Sequence, residues 1–174
     1  RLLRPAILWL DERRKEEVAA LCQRVGHERL HAITGKPHDW APAIYSLAWM
    51  ADAEPERFRQ IRHVYEPHAW LVRKLTGEFL TSWASADPFG AFDIHRHAWA
   101  EDVVQALPIP LSTACFPNAL APGTVLGTVN EQAQALTGLA AGTPVVAGGG
   151  DGQAGGLGIG VVSAGTAYLN LGTA

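Results

Sequence analysis

Positive charge is missing from the later part of this 174-residue chain: all 14 Lys and Arg lie at or before Arg96. From Val103 onward the only acids are Glu131 and Asp151. With a formal net charge of -3 there is no basic field for a nucleic-acid backbone or an anionic membrane, so neither is expected as a partner. Cysteine is scarce as well. Cys22 and Cys115 stand far apart without metal-type spacing, which points to a reducing compartment, here the cytoplasm, rather than a disulfide framework. No signal peptide and no initiator Met open the sequence, which reads as an excerpt of a longer chain. An unbroken apolar run is lacking too. Residues 152–174 carry no charge and contain Gly156-x-x-x-Gly160, yet Gln153, Ser163, Asn170 and many glycines interrupt them, which argues against a membrane span. There is no G-x-S-x-G, no base near either cysteine in sequence and no internal repeat, so nucleophilic catalysis has little support.

What is present begins with a short apolar stretch, Ile7 to Leu10, read as a strand, followed by a helix starting near Asp11. Val18, Leu21, Cys22 and Val25 fall at i, i+3, i+4 and i+7 and form one buried stripe, which Gly26 ends. A second helix is expected from Pro42 to Met50 with Ile44, Leu47 and Ala48 inward, and Pro55 opens another. Val64-Tyr65 reads as a brief strand, and Pro67 to Thr76 as a helix stopped by Gly77. Thr81 to Asp93 reads as a loop with bulky anchors, Trp99 to Leu107 as a helix, and the prolines at 108, 110, 117 and 122 as a connector. Asn130 is an N-cap for Glu131 to Thr137, closed by Gly138. Val145-Val146 and Ala167 to Leu171 complete the strands. Their alternation with helices favours an α/β layer fold, with exposed helices first and a buried sheet in the charge-poor remainder.

The focal stretch is Val145 to Gly158. A strand runs into Gly148-Gly149-Gly150, where glycine lets the backbone turn and approach a bound molecule, and Asp151 sits at that turn. A lone carboxylate with no cation near it in sequence is costly unless hydrogen-bonded, reached by solvent or used. It could cap the helix that follows, or serve as a general base where a polar substrate enters. A dinucleotide fingerprint, Gly150-x-Gly152-x-x-Gly155, fails because an Asp between the first two glycines would face the pyrophosphate. No acid follows downstream to hold a ribose hydroxyl.

Among the seven histidines the tightest group is Asp93-x-His95-x-His97, in which Arg96 adds repulsion to any cation. The others, His27, His31, His38, His63 and His68, read as surface or core-edge residues, and no metal site is expected. The six tryptophans are spread through the helical part as core anchors.

Taken in order, several segments together resemble the FGGY carbohydrate kinase family, most closely its xylulokinase branch. They are Trp9-x-Asp11-x-Arg13, Leu47-x-Trp49-Met50, Glu54-Pro55-Glu56-x-Phe58, Leu75-Thr76-Gly77-Glu78, Phe92-Asp93 before Trp99, Thr137-Gly138-Leu139, Gly142-Thr143-Pro144-Val145-Val146, Gly149-Gly150-Asp151 and Leu171-Gly172-Thr173. The resemblance covers nearly the whole chain. It implies an α/β, ribonuclease-H-like lobe of the actin and sugar-kinase superfamily. Residues 1–164 would be the later part of the N-terminal, sugar-binding lobe and residues 165–174 the start of the C-terminal, nucleotide-binding lobe.

The implied activity is ATP-dependent phosphorylation of a sugar hydroxyl, with D-xylulose the expected sugar and gluconate, ribulose or glycerol, or a non-catalytic sugar-binding module, as alternatives. Asp151 matches the family's catalytic base and sugar contact, Gly152 the adjoining sugar contact, and Gly172 and Thr173 the start of a phosphate-binding loop. ATP and Mg²⁺ are the implied cofactors, and a homodimer is left open. Departures fall at Ser46, Ala69, Ser82 and Ala174, where the family often has Lys, Asp, Asp and Ser, and they bear on which sugar is bound. The first phosphate loop and most of the nucleotide lobe lie outside the sequence, so the 174 residues alone are expected to be inactive.

Overall fold

The computed structural model describes residues 2–8 and 11–169. Helix α1 (Lys15–Val25) buries Leu21 and Cys22, with Val18 and Val25 packed beside them, so the apolar stripe faces inward. It ends at Gly26, whose φ of 93° few side chains tolerate and whose N–H bonds the Cys22 carbonyl at 2.8 Å. Helix α2 (His27–Thr34) follows at once and closes on left-handed Gly35. Helix α3 (Ile44–Ala53) is apolar almost all round, burying Ile44, Tyr45, Leu47, Ala48, Met50 and Ala51, and is therefore central. Helix α4 (Pro55–Phe58) begins on Pro55, where a missing N–H costs nothing, and inserts Phe58.

Helix α5 (Pro67–Thr76) is capped by Glu66, whose carboxylate accepts the His68 and Ala69 N–H groups at 2.6 and 2.9 Å, and stops at left-handed Gly77. Strand β1 (Leu80–Ser82) leads into helix α6 (Trp83–Ala86), a 3₁₀ turn at Asp87–Phe89 and strand β2 (Phe92–Asp93). Strand β3 (Ala98–Trp99) pairs antiparallel with β2 and precedes helix α7 (Glu101–Gln105). After a 3₁₀ turn at Thr113–Cys115, strand β4 (Asn118–Leu120) lies parallel to β1, Leu80 opposite Asn118. Strand β5 (Val125–Thr128), helix α8 (Glu131–Thr137) and strand β6 (Pro144–Val146) form an antiparallel excursion, bulged between Val125 and Gly127. Helix α9 (Asp151–Gly158) is the last regular element among the described residues.

The main core joins α1 to α4 and α7 with Phe89 and Phe116. Two smaller clusters flank it: Val72, Leu126 and Ala147 under β1 and β6, and Ala86, Phe92 and Ala119 under Trp83 and Trp99. Buried Arg14 is held by the Ala41 carbonyl at 3.1 Å, the Ser46 hydroxyl and the Trp40 ring face, so Ser46 serves the core.

Several sequence expectations need correction. Ile7 and Leu8 form no strand, and Trp9 and Leu10 lie outside the described residues. The helix expected from Asp11 starts at Lys15, and the one expected from Trp99 starts at Glu101 because Trp99 pairs in β3. Val64 and Tyr65 are not a strand: Val64 N–H bonds the Cys115 carbonyl without a ladder. Thr81 to Asp93 and the proline-marked connector are not loops, since they supply β1, α6, β2 and β4. The strand at Val145-Val146 is real but Val146 is exposed, and the charge-poor remainder is largely exposed instead of a buried sheet. Lack of charge registers what a segment tolerates, whereas burial requires a neighbouring layer to cover it. Ala167 to Leu169 form no strand, and Asn170 and Leu171 lie outside the described residues.

Candidate active site

The site is built where β6 gives way to α9. None of Gly148, Gly149 and Gly150 has a left-handed φ, so the expectation that they serve to turn the backbone is replaced by a steric one. A Cβ on Gly149 would lie 3.2 Å from the Ala84 Cβ, and one on Gly150 would lie 2.5 Å from Gln153 Oε1. Small residues let the loop lie against α6.

Two side chains, Ser82 and His68, bond the loop directly. The Ser82 hydroxyl donates to the Gly148 carbonyl and accepts the Ser85 N–H at 3.1 Å, tying the loop to the cap of α6. The Gly148 N–H donates to His68 Nε2 at 3.3 Å, which makes Nε2 an acceptor and puts the ring proton on Nδ1. Nδ1 lies 3.2 Å from Thr81 Oγ1, whose hydroxyl in turn donates to Glu66 Oε1. Glu66, Thr81, His68 and Gly148 thus form one directional chain from the α5 cap to the loop, and Ser82 completes the clamp.

Asp151 is the first residue of α9, exposed, with Oδ1 accepting the Gly152 N–H at 2.8 Å. Gly150 occupies the capping position, so Asp151 is not the cap itself but an acid of the first turn, where the helix dipole favours negative charge. It forms no ion pair among the described residues. Gly152 beside it has open space where a side chain would stand.

Two residues on, Gln153 borders a cavity of about 250 Å³ that is also lined by Trp83, Asp87, Phe92, His97 and Pro122. Trp83 and His97 stack face to face, centroids 3.9 Å apart, and Asp87 pairs with Lys36 at 2.6 Å. A flat aromatic wall beside a carboxylate and an amide suits a ligand with apolar faces and hydroxyl edges.

Asp93, His95 and His97 do not converge. The Asp93 carboxylate accepts the His95 and Arg96 N–H groups at 2.9 Å each, while the His97 ring is committed to Trp83. Gly172 and Thr173, the expected phosphate contacts, lie outside the described residues. Sequence reasoning missed the clamp of His68 and Ser82 and the Trp83–His97 stack. The one local signal was Glu66 before Pro67, a capping acid placed ahead of a first-turn proline.

The architecture is that of the sugar kinases. A solved xylulose kinase from Rhodospirillum rubrum superposes with a TM-score of 0.83 at 33% identity, over 93% of this chain and 33% of that one. The xylulose kinase of Escherichia coli is 38% identical across 99% of this chain and 35% of its own length, and that of Streptomyces rubiginosus 33% identical across 98% and 35%. The family model described as the FGGY family of carbohydrate kinases, N-terminal domain, matches residues 1–158, and the chain belongs to that family. It spans about a third of the length of these curated relatives. Among the described residues no helix is long and apolar enough to cross a membrane.

Proposed function

We propose that the protein carrying these residues transfers the γ-phosphoryl group of ATP to a hydroxyl of a ketose, D-xylulose first, with Asp151 as general base. The observation that carries this reading is the exposed Asp151 carboxylate at the head of α9, which forms no ion pair among the described residues and stands two residues before Gln153 at the edge of the cavity walled by Trp83 and His97. Phosphoryl transfer asks a protein chiefly for positioning and charge stabilisation. Asp151 accepts the proton of the attacking hydroxyl, and its bond from Gly152 N–H holds one oxygen while the other remains free to receive it. The open space at Gly152 lets the sugar come close to the backbone.

The similarity to xylulose kinases supports the substrate, and the family match ending at residue 158 supports a sugar lobe of residues 1–164 with the nucleotide lobe starting at 165. Gly172 and Thr173 are assigned to the phosphates of ATP. Mg²⁺ would neutralise those phosphates when bound. Among the described residues no group of carboxylates gathers at Asp151 to hold it, so no step is assigned through it here.

The test is ATP consumption by the full-length protein against ketoses, polyols and sugar acids, with Asp151→Asn alongside. Turnover on D-xylulose that falls by about 10²–10⁴-fold in the variant is the expected result. Undiminished turnover in Asp151→Asn, or no turnover on any sugar by the wild type, would overturn it.

A further inference from the structure

The turn between α1 and α2 brings together three side chains that the sequence keeps apart. Cys22 lies in the last turn of α1, fully buried. Gly26 then reverses the chain through its positive φ, and His27 starts α2 on the exposed side. His38 returns from the segment after α2. Cys22 Sγ is 3.0 Å from His38 Nδ1, His27 Nδ1 is 3.2 Å from the same atom, and all three ligand atoms lie within 4.8 Å of one another. We propose that Cys22, His27 and His38 form a zinc site.

Geometry and donor chemistry both carry the assignment. A tetrahedral zinc ion with bonds of about 2.0–2.1 Å to nitrogen and about 2.3 Å to sulfur separates its ligand atoms by about 3.3–3.6 Å. The Cys22–His38 and His27–His38 separations need only a few tenths of an ångström of spreading to reach that, and the third pair already lies within 4.8 Å. His38 Nδ1 has a single in-plane position, a lone pair or a proton, for two neighbours at hydrogen-bond distance, whereas an ion takes one lone pair from each of the three donors. One thiolate and two imidazoles select zinc-type ions over hard cations such as Mg²⁺.

His31 donates Nδ1–H to the Lys36 carbonyl at 2.9 Å, holding the segment that delivers His38. Tyr45, from α3, reaches the thiol with its hydroxyl. Binding forms a Zn–S bond, breaks the S–H bond and releases that proton to solvent. The exposed His27 gives the ion its entry path and leaves a fourth position to water.

The site would tie the end of α1, the start of α2 and residues 36–38 into one corner. It is independent of the proposed chemistry at Asp151.

The test is titration of the chelator-stripped full chain with Co²⁺ as a spectroscopic substitute, followed by Zn²⁺. A thiolate-to-cobalt charge-transfer band with intense tetrahedral visible bands, bleached by an equimolar amount of Zn²⁺, is expected. Cys22→Ser should abolish the charge-transfer band and Cys115→Ser should leave it intact. His27→Gln, at an exposed position that does not threaten folding, should weaken Zn²⁺ binding by more than the about 10–100-fold that loss of a hydrogen bond to a ligand costs in established zinc sites. Zn²⁺ should raise the melting temperature of the wild type and not of His27→Gln. Absence of the charge-transfer band in folded wild type, or Zn²⁺ affinity unchanged in His27→Gln, would overturn the proposal and leave the three residues as a hydrogen-bonded triad.

Discussion

Gly90 and Gly77 both adopt left-handed backbone, with φ of 81° and 90°, but their surroundings differ. A Cβ at Gly90 would sit 2.6 Å from the Pro42 Cβ, while one at Gly77 meets nothing within 4 Å. Gly77→Ala should therefore cost only the backbone penalty of about 1–2 kcal/mol, and Gly90→Ala that penalty plus about 1–3 kcal/mol of overpacking. Urea unfolding of the two variants measures the difference, and equal midpoints would remove the steric argument. At Asp93, burial pushes the carboxyl up, but the N–H bonds from Arg96 and His95 outweigh it and hold it below its ordinary 3.8. The folded state then binds this proton more weakly than the unfolded state does. Its stabilisation is complete above the unfolded value and is lost as pH falls through the folded one. Stability measured from pH 6 downward should thus decline less in Asp93→Asn than in the wild type over that acidic range.

Elements that close their own ends were legible in the sequence. Helix α8 lies between Asn130, whose Oδ1 accepts the Ala133 N–H at 2.8 Å, and left-handed Gly138, as its residues require. Helix α5 runs from Pro67 to Gly77 for the same reason, and its cap carries more than the helix, since Glu66 also accepts from Thr81. Glu66→Ala should cost about 1–2 kcal/mol in chemical unfolding, in the upper part of the range for a lost cap. In the full-length protein it should also speed amide exchange at Gly148, which a cap acting on α5 alone would not do. Helix α9 is the contrary case. Its Gly152, Gly155, Gly156 and Gly158 each weaken it by about 1 kcal/mol relative to Ala, so its stability comes from what lies against it, such as Tyr168 over Gly155 and Gly156. Gly158→Ala, with open space around it, should raise stability by about 0.4–1 kcal/mol, and Gly155→Ala should not, because its Cβ would press on Tyr168 Oη at 3.1 Å. Thermal melting of the two variants separates these outcomes.

At the scale of the whole chain, the described residues offer an exposed carboxylate at Asp151 and an aromatic wall at Trp83 and His97 but no cation paired with Asp151, and the sequence has no Lys or Arg after Arg96. Developing charge on a transferring phosphoryl group needs positive partners. The 174 residues alone should therefore show no sugar-dependent ATP consumption in a coupled assay, whereas the proposed function requires turnover by the full-length protein. Exposed Leu136, Leu157, Ile159, Val162 and Leu169 show why the charge-poor remainder misled: its apolar character was legible, while its cover is not supplied by these residues. The sequence by itself determined the helices that carry their own caps, the stripe on α1, the isolation of Asp151 and the ordered motifs of the family. Those depend on hydrogen bonds, dipoles and spacing that close within a few residues. Only the tertiary structure decided that β1 pairs with β4, that His68 and Ser82 hold Gly148, and that Cys22 meets His27 and His38. Each of those contacts depends on where the packed core fixes the intervening segments, and no local pattern of residues encodes that distance.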